Sequence, residues 1–165
     1  MWTTIKMIRA KFPTVEYITT NTLTKWLGRA DERKIILMDC RAPEEYNVSH
    51  LEGAHCVDWK NGDPCQLLSS LPSDKPHTVV CYCSVGYRSS VMAQKLQQYL
   101  ATAESAFPVG SISVYNLEGS LFKWANEGRP MVDSRGQATR MCHPFSATWG
   151  LLLEKQLRNW GSSEK

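Results

Sequence analysis

The stretch Val79-Val80-Cys81-Tyr82-Cys83-Ser84-Val85-Gly86-Tyr87-Arg88-Ser89-Ser90 limits the possible folds more than any other part of the chain. Thr78–Tyr82 is short, apolar and rich in β-branched residues, the pattern of a strand buried on both faces. A short loop follows. Met92, Leu96, Tyr99 and Leu100 then recur at i, i+4, i+7 and i+8, which predicts a helix from about Ser89 to Leu100. A buried strand feeding a helix through a tight loop is half of a strand–helix–strand unit, and such units assemble into parallel sheets.

The same alternation runs along the chain. Val15–Ile18, Ile35–Met38, Ala54–Val57 and Ile112–Leu117 read as further short strands. Between them, Asn21 or Thr22 can cap a helix carrying Leu23, Trp26 and Leu27. Pro43 can open a short helix with Glu44 and Glu45 in its first turn. Asn61-Gly62-Asp63-Pro64 is a turn, and residues Gln66 to Leu71 fit one or two helical turns ended before Pro72. A helix over residues 118–126 stops at Gly128 and Pro130. The expected fold is α/β: a central, mostly parallel sheet of about five strands with helices on both faces, and extra helices at each end. The 165 residues fit one domain. Its core spans about 14–132, and 133–165 forms a loop and a docked amphipathic helix in which Phe145, Trp149, Leu152, Leu153, Leu157 and Trp160 share one face.

Near the start, Trp2, Ile5, Ile8 and Phe12 recur at helical spacing among Lys6, Arg9 and Lys11. The reading preferred here is a short helix docked on the domain and ended before Pro13. The alternative is a mitochondrial targeting segment, although the region is poor in serine and arginine for one. No apolar run approaches the ~20 residues a membrane-spanning helix needs. A net charge of +3, from 19 basic and 16 acidic residues, gives no basis for nucleic-acid binding. The six cysteines sit largely in strand-like runs and no signal-peptide pattern precedes them, so they read as reduced thiols. Cys81-Tyr82-Cys83 lacks zinc spacing and a second pair, so no metal is expected. The compartment expected is the cytoplasm, with mitochondria as the alternative.

Cys83 carries the chemistry. It falls at the carboxyl end of the strongest strand, the edge where open parallel sheets bind ligands. Backbone N–H groups of Ser84, Val85, Gly86, Tyr87 and Arg88 can curl into an anion-binding nest, and the following helix points its positive end at the same spot. A thiol held there should ionise below the ~8.5 of free cysteine. Gly86 allows the turn, Ser89 can cap the helix, and Arg88 supplies a cation either at the site or tied to a buried carboxylate. Taken alone, a cysteine and a glycine would favour buried apolar filler, the commonest role of a free cysteine, and the strand–cysteine–loop–Arg–helix order shifts the reading toward chemistry.

Four separated segments resemble the rhodanese-like sulfurtransferases. Ile36-Leu37-Met38-Asp39-Cys40-Arg41-Ala42-Pro43-Glu44-Glu45-Tyr46 is similar to the family's strand and Asp-x-Arg block. His50-Leu51-Glu52-Gly53-Ala54-His55 is similar to its His-Ile-Pro-Gly-Ala block. Tyr82 to Ser89 resembles its active loop. Tyr115-Asn116-Leu117-Glu118-Gly119-Ser120, with Trp124 and Gly128-Arg129-Pro130, resembles its C-terminal block. The resemblance implies that Cys83 takes a sulfane sulfur as a persulfide from a donor such as thiosulfate. It implies transfer to a thiol, cyanide or a protein acceptor, with no cofactor beyond the covalent intermediate. Ser84 to Arg88 would cradle the transferred sulfur, while Asp39, Arg41, Glu45 and His50 would be structural supports. Glu52 stands where the family often has proline, and Ser120 replaces a second glycine. Ser84 and Val85 supply no cation for a sulfonate, which leaves the donor open.

Two other readings compete. Cysteine phosphatases and arsenate reductases write the loop Cys-x5-Arg, whereas Cys83 to Arg88 is Cys-x4-Arg, a ring too small for a phosphoryl group. A non-catalytic binding module is the other, since fold alone proves no activity. A disulfide between Cys81 and Cys83 is geometrically poor. Cys40, at the end of a neighbouring strand, or Cys65 could approach Cys83 instead, each a weak candidate.

Overall fold

A computed structural model describes residues 1–29, 34–72 and 75–161. Five strands form one parallel sheet: β1 (Glu16–Ile18), β2 (Ile35–Asp39), β3 (His55–Cys56), β4 (His77–Tyr82) and β5 (Ile112–Leu117). Their spatial order is β1-β5-β4-β2-β3. β4 is central and buried at every position, which explains the apolar run from Val79 to Tyr82 within it. Parallel pairing brings the carboxyl ends of β2, β4 and β5 to one edge: Met38 lies opposite Cys81, and Cys81 opposite Asn116. The loops leaving those ends build the site.

Six helices connect or flank the strands: α1 (Trp2–Lys11), α2 (Thr20–Leu27), α3 (Pro43–Val48), α4 (Pro64–Leu68), α5 (Tyr87–Leu100) and α6 (Ser120–Asn126). α1 ends before Pro13 as its sequence predicts, and it docks by burying Ile8 and Phe12. α2 is capped by Thr19, whose hydroxyl accepts from Thr22 N–H, rather than by Asn21 or Thr22. α4 starts at Pro64, two residues before the expected turn, because the Asp63 carboxylate caps it.

Two helix starts depart from expectation in a way that matters for the site. α5 begins at Tyr87, with Gly86 at φ +115° as its N-cap, so Ser89 is a buried first-turn residue and not the cap. α6 begins at Ser120, with Gly119 at φ +72° before it, rather than at Glu118. Left-handed turns, not polar side-chain caps, set both starts.

The C-terminal expectation is only partly met. The described residues of this segment, 133–161, do not form a continuous amphipathic helix. The segment contains β7 (Ala138–Thr139), paired antiparallel with β6 (Met131–Val132), then α7 (Ala147–Gly150) and a 3-10 turn at Lys155–Leu157. Pro144 and Gly150 explain the break. A Cβ on Gly150 would lie 2.9 Å from Pro144 Cβ, so the chain folds back on itself here. Leu153 and Leu157 still reach the core, while Phe145, Trp149 and Trp160 remain substantially exposed.

Candidate active site

Residues 83–86 join β4 to α5, whose first turn carries Tyr87 and Arg88, and Cys83 is only 1% exposed. Gly86 N–H donates to Cys83 Sγ at 3.1 Å. That N–H is aimed because the Gly86 carbonyl is held from three sides, by Ser90 Oγ (2.7 Å), Ser90 N–H (3.1 Å) and Asn116 Nδ2 (3.0 Å). Space at Gly86 would admit a methyl group, with the nearest atom 3.5 Å away; the backbone angle is what demands glycine.

Cys83 sits where three supports counter its burial. Desolvation alone would push the thiol up, but the Arg88 guanidinium, the Ser89 hydroxyl and amide, and Gly86 N–H together hold it below the ordinary cysteine value. Cys40 and Cys142 go the other way. Burial, reinforced by Cys81, pushes Cys40 well up, and burial pushes Cys142 up to about 11. All six cysteines are free; Cys40 points its sulfur at Met38 O and Cys65 is exposed, so neither bridges Cys83.

Arg88 resolves the choice left open by sequence: it is tied to a buried carboxylate. Its fork meets Glu45 at 2.7 and 2.9 Å, and Nη2 also donates to Ser84 Oγ at 2.9 Å. Ser84 Oγ in turn donates to Glu45 Oε1 at 3.0 Å, and Ala42 N–H donates to Oε2 at 3.0 Å. Burial would raise the Glu45 carboxyl, but Arg88 and the Ala42 amide hold it below the usual carboxylate range. α3 is thus bolted to the active loop by one carboxylate. The side chains of Ser84 and Arg88 are occupied by it rather than turned toward the sulfur.

Residues 20–127 of this chain match the model of the rhodanese-like domain. The chain belongs to the rhodanese-like domain family. Among curated proteins, this rhodanese-like chain is 31% identical over 113 residues to a probable adenylyltransferase/sulfurtransferase MoeZ of Mycobacterium tuberculosis. That alignment covers 68% of this chain and 25% of the relative, so the chain spans about a quarter of that protein's length. It is 32% identical over 106 residues to the uncharacterized protein YqhL of Bacillus subtilis, covering 64% of this chain and 73% of YqhL. Solved structures with the same fold include thiosulfate sulfurtransferase from Pseudomonas aeruginosa, with a TM-score of 0.60 at 16% identity over 88% of this chain and 24% of that one. A yeast protein tyrosine phosphatase of the rhodanese family gives a TM-score of 0.53 at 19% identity over 68% and 85%. At such identities the likeness is one of fold.

The remaining expected residues of this rhodanese-like site frame it from behind. Asp39 and Arg41 form a fully buried pair, with Nε to Oδ1 at 2.9 Å and Nη2 to Oδ2 at 2.7 Å, and Arg41 Nη2 also donates to Ser49 O. Burial opposes the Arg41 charge, and Asp39 outweighs it. His50 stacks on Tyr46 at 3.7 Å, bonds Tyr46 O through Nδ1, and exchanges two backbone hydrogen bonds with Val132. It fixes a turn away from the sulfur.

Sequence reasoning missed several contributors. The sequence assigns Glu45 only a supporting role, although a buried arginine in the loop calls for a buried acid somewhere. Asn116 and Ser120 come from the end of β5 and the start of α6 and touch the loop directly. From outside the matched domain, Ile8 approaches Gly86 and Phe12 meets Tyr87 edge-on at 5.4 Å. Phe145, at φ +64°, lays its ring 4.5 Å from the Arg88 guanidinium. No local signal in the sequence marks these last contacts.

Proposed function

We propose that this protein is a sulfurtransferase that carries sulfane sulfur as a persulfide on Cys83. The observation behind this reading is the buried thiol at the N-terminus of α5, held below the usual cysteine value and facing Gly86 N–H at 3.1 Å. The thiolate attacks the outer sulfur of a donor such as thiosulfate. A Cys83 S–S bond forms, the donor's S–S bond breaks, and sulfite leaves with that electron pair. An acceptor thiolate or cyanide then attacks the outer sulfur and returns the Cys83 thiolate. No redox change in the protein and no cofactor is required. A general acid is not needed either, because nucleophile and leaving group are both anions. The main-chain donors stabilise the negative charge on the persulfide.

Phosphate chemistry fits less well. A phosphoryl group with three equatorial oxygens favours a free, bidentate guanidinium. The Arg88 fork already grips Glu45. A purely binding role would leave the aimed, acidified thiol without purpose. We assign the protein to the cytoplasm, a compartment that suits the exposed free cysteines Cys56 and Cys65; among the described residues no helix is long and apolar enough to cross a membrane.

The test is intact mass after incubation with thiosulfate, then with cyanide. The expected result is a gain of about 32 Da, one sulfur, that cyanide removes and that Cys83→Ser lacks. The same gain in the Cys83→Ser protein would refute the assignment.

A further inference from the structure

Ser120 is unusual for its position. It opens α6 with a backbone φ of +49° directly after Gly119 at +72°, and it is fully buried. A residue with a Cβ is strained at such an angle, and glycine would not be. Serine lacks the enrichment that Asn and Asp show there. Strain kept in a buried position points to something the side chain does.

Its hydroxyl makes two hydrogen bonds. Ser120 Oγ accepts from Cys83 N–H at 3.1 Å and donates to Leu117 O at 3.1 Å. The next two residues complete a bracket: Leu121 N–H donates to Cys83 O and Phe122 N–H to Ser84 O, both at 3.0 Å. Both main-chain polar groups of Cys83 are therefore held by the first turn of α6. The two Leu121 and Phe122 bonds come from the backbone and would survive any substitution at 120. The bond to the Cys83 amide comes from the serine side chain, and without it that buried N–H has no partner on the loop. The Sγ-to-Gly86 contact depends on where the Cys83 main chain sits, since one rotatable bond separates Sγ from it.

We propose that Ser120 is a positioning residue for Cys83, whose hydroxyl fixes the main chain of the thiol-bearing residue and is retained in spite of backbone strain. The inference rests on the reading of Cys83 as the reacting thiol, but it concerns where that thiol is held, and so it can be read without any sulfur donor.

Two substitutions separate hydroxyl from strain. Ser120→Ala removes the hydroxyl and keeps the strained angle; Ser120→Gly removes both. Both are made in a Cys56→Ser, Cys65→Ser background, which clears the exposed thiols. Amide hydrogen exchange at Cys83 and the pH profile of Cys83 alkylation by iodoacetamide, followed by peptide mass, are the readouts. Losing the hydrogen bond should speed Cys83 amide exchange about tenfold in both variants. The alkylation midpoint should move to higher pH in both, a shift that a purely structural role would not produce. The glycine variant should melt about 2–4 °C above the alanine variant, since it alone relieves the backbone. Wild-type exchange and a wild-type midpoint in Ser120→Gly overturn the proposal, and equal melting temperatures overturn the strain part of it. Failure of thiosulfate, mercaptopyruvate and polysulfide alike to load Cys83 would instead sink the sulfurtransferase reading and leave both readouts intact.

Discussion

Replacing Glu45 by glutamine tests whether one carboxylate bolts α3 to the active loop. The substitution keeps the volume, so no cavity forms. It removes a charge whose side chain is 2% exposed and which faces Arg88, 14% exposed, at 2.7 Å. Four donors converge on the carboxylate: two from Arg88, one from Ser84 and one from Ala42. An amide oxygen can accept from some of these, but its NH2 group then faces a donor, and the guanidinium is left without its counter-charge. Breaking a buried pair from one side costs about 3–5 kcal/mol, and the partial exposure of Arg88 favours the lower end. For a chain of this size a loss of about 3 kcal/mol lowers Tm by about 6–12 °C. The pH dependence gives a second handle. The Glu45 carboxyl lies below its ordinary value in the folded protein. Its stabilising contribution is therefore complete above the unfolded value of about 4.3 and is lost as pH falls through the lower, folded value. Urea unfolding followed by tryptophan fluorescence at several pH values would show a constant gap between wild type and Glu45→Gln above about pH 5, narrowing below about pH 4. A gap under about 1 kcal/mol at neutral pH, or one that does not narrow in acid, would refute the reasoning.

Two further perturbations probe the loop. Gly86→Ala forces a Cβ onto a backbone at φ +115°, at a cost of about 1–3 kcal/mol, and turns the N–H away from Cys83, so the thiol should titrate at higher pH; an unchanged midpoint would show that this N–H is not what holds it. Phe12→Ala removes the ring that meets Tyr87 and should loosen α1 at a cost of about 3 kcal/mol, raising the alkylation rate of Cys83 severalfold; an unchanged rate would mean that α1 does not shield the thiol.

What the sequence disclosed follows from the range of the forces involved. β5 is read to the residue, and β2 and β4 to within one, because the short apolar runs at their centres, such as Ile35–Met38 and Val79–Tyr82, pack into or against the core. Cys83 is legible because strand end, loop and helix start are contiguous. The starts of α5 and α6 are misread because Ser89 and Glu118 look like polar first-turn signals, while the deciding residues, Gly86 and Gly119, act through backbone angle. The C-terminal helix fails for a related reason. Leu153 and Leu157 are spaced like a helical face, but one is buried beyond α7 and the other in a 3-10 turn, and a hydrophobic spacing does not say which. Glu45 and Arg88 lie 43 residues apart, and only the β2–β4 register brings them together.

That register also explains why the loop can be chemically plain. Ser84 and Arg88 turn toward Glu45, so the hydrogen bond that reaches the sulfur comes from Gly86 N–H, and the helix N-terminus adds its field. Main-chain donors are independent of side-chain identity at Ser84 and Val85. The path of the chain sets their aim, and that path is fixed at Gly86 by Ser90 and Asn116 and at Cys83 by the start of α6. A thiolate stabilised in this way needs no cation directed at its sulfur. The guanidinium of Arg88 then serves two ends at once: it anchors the loop to α3, and from that fixed distance it lowers the thiol.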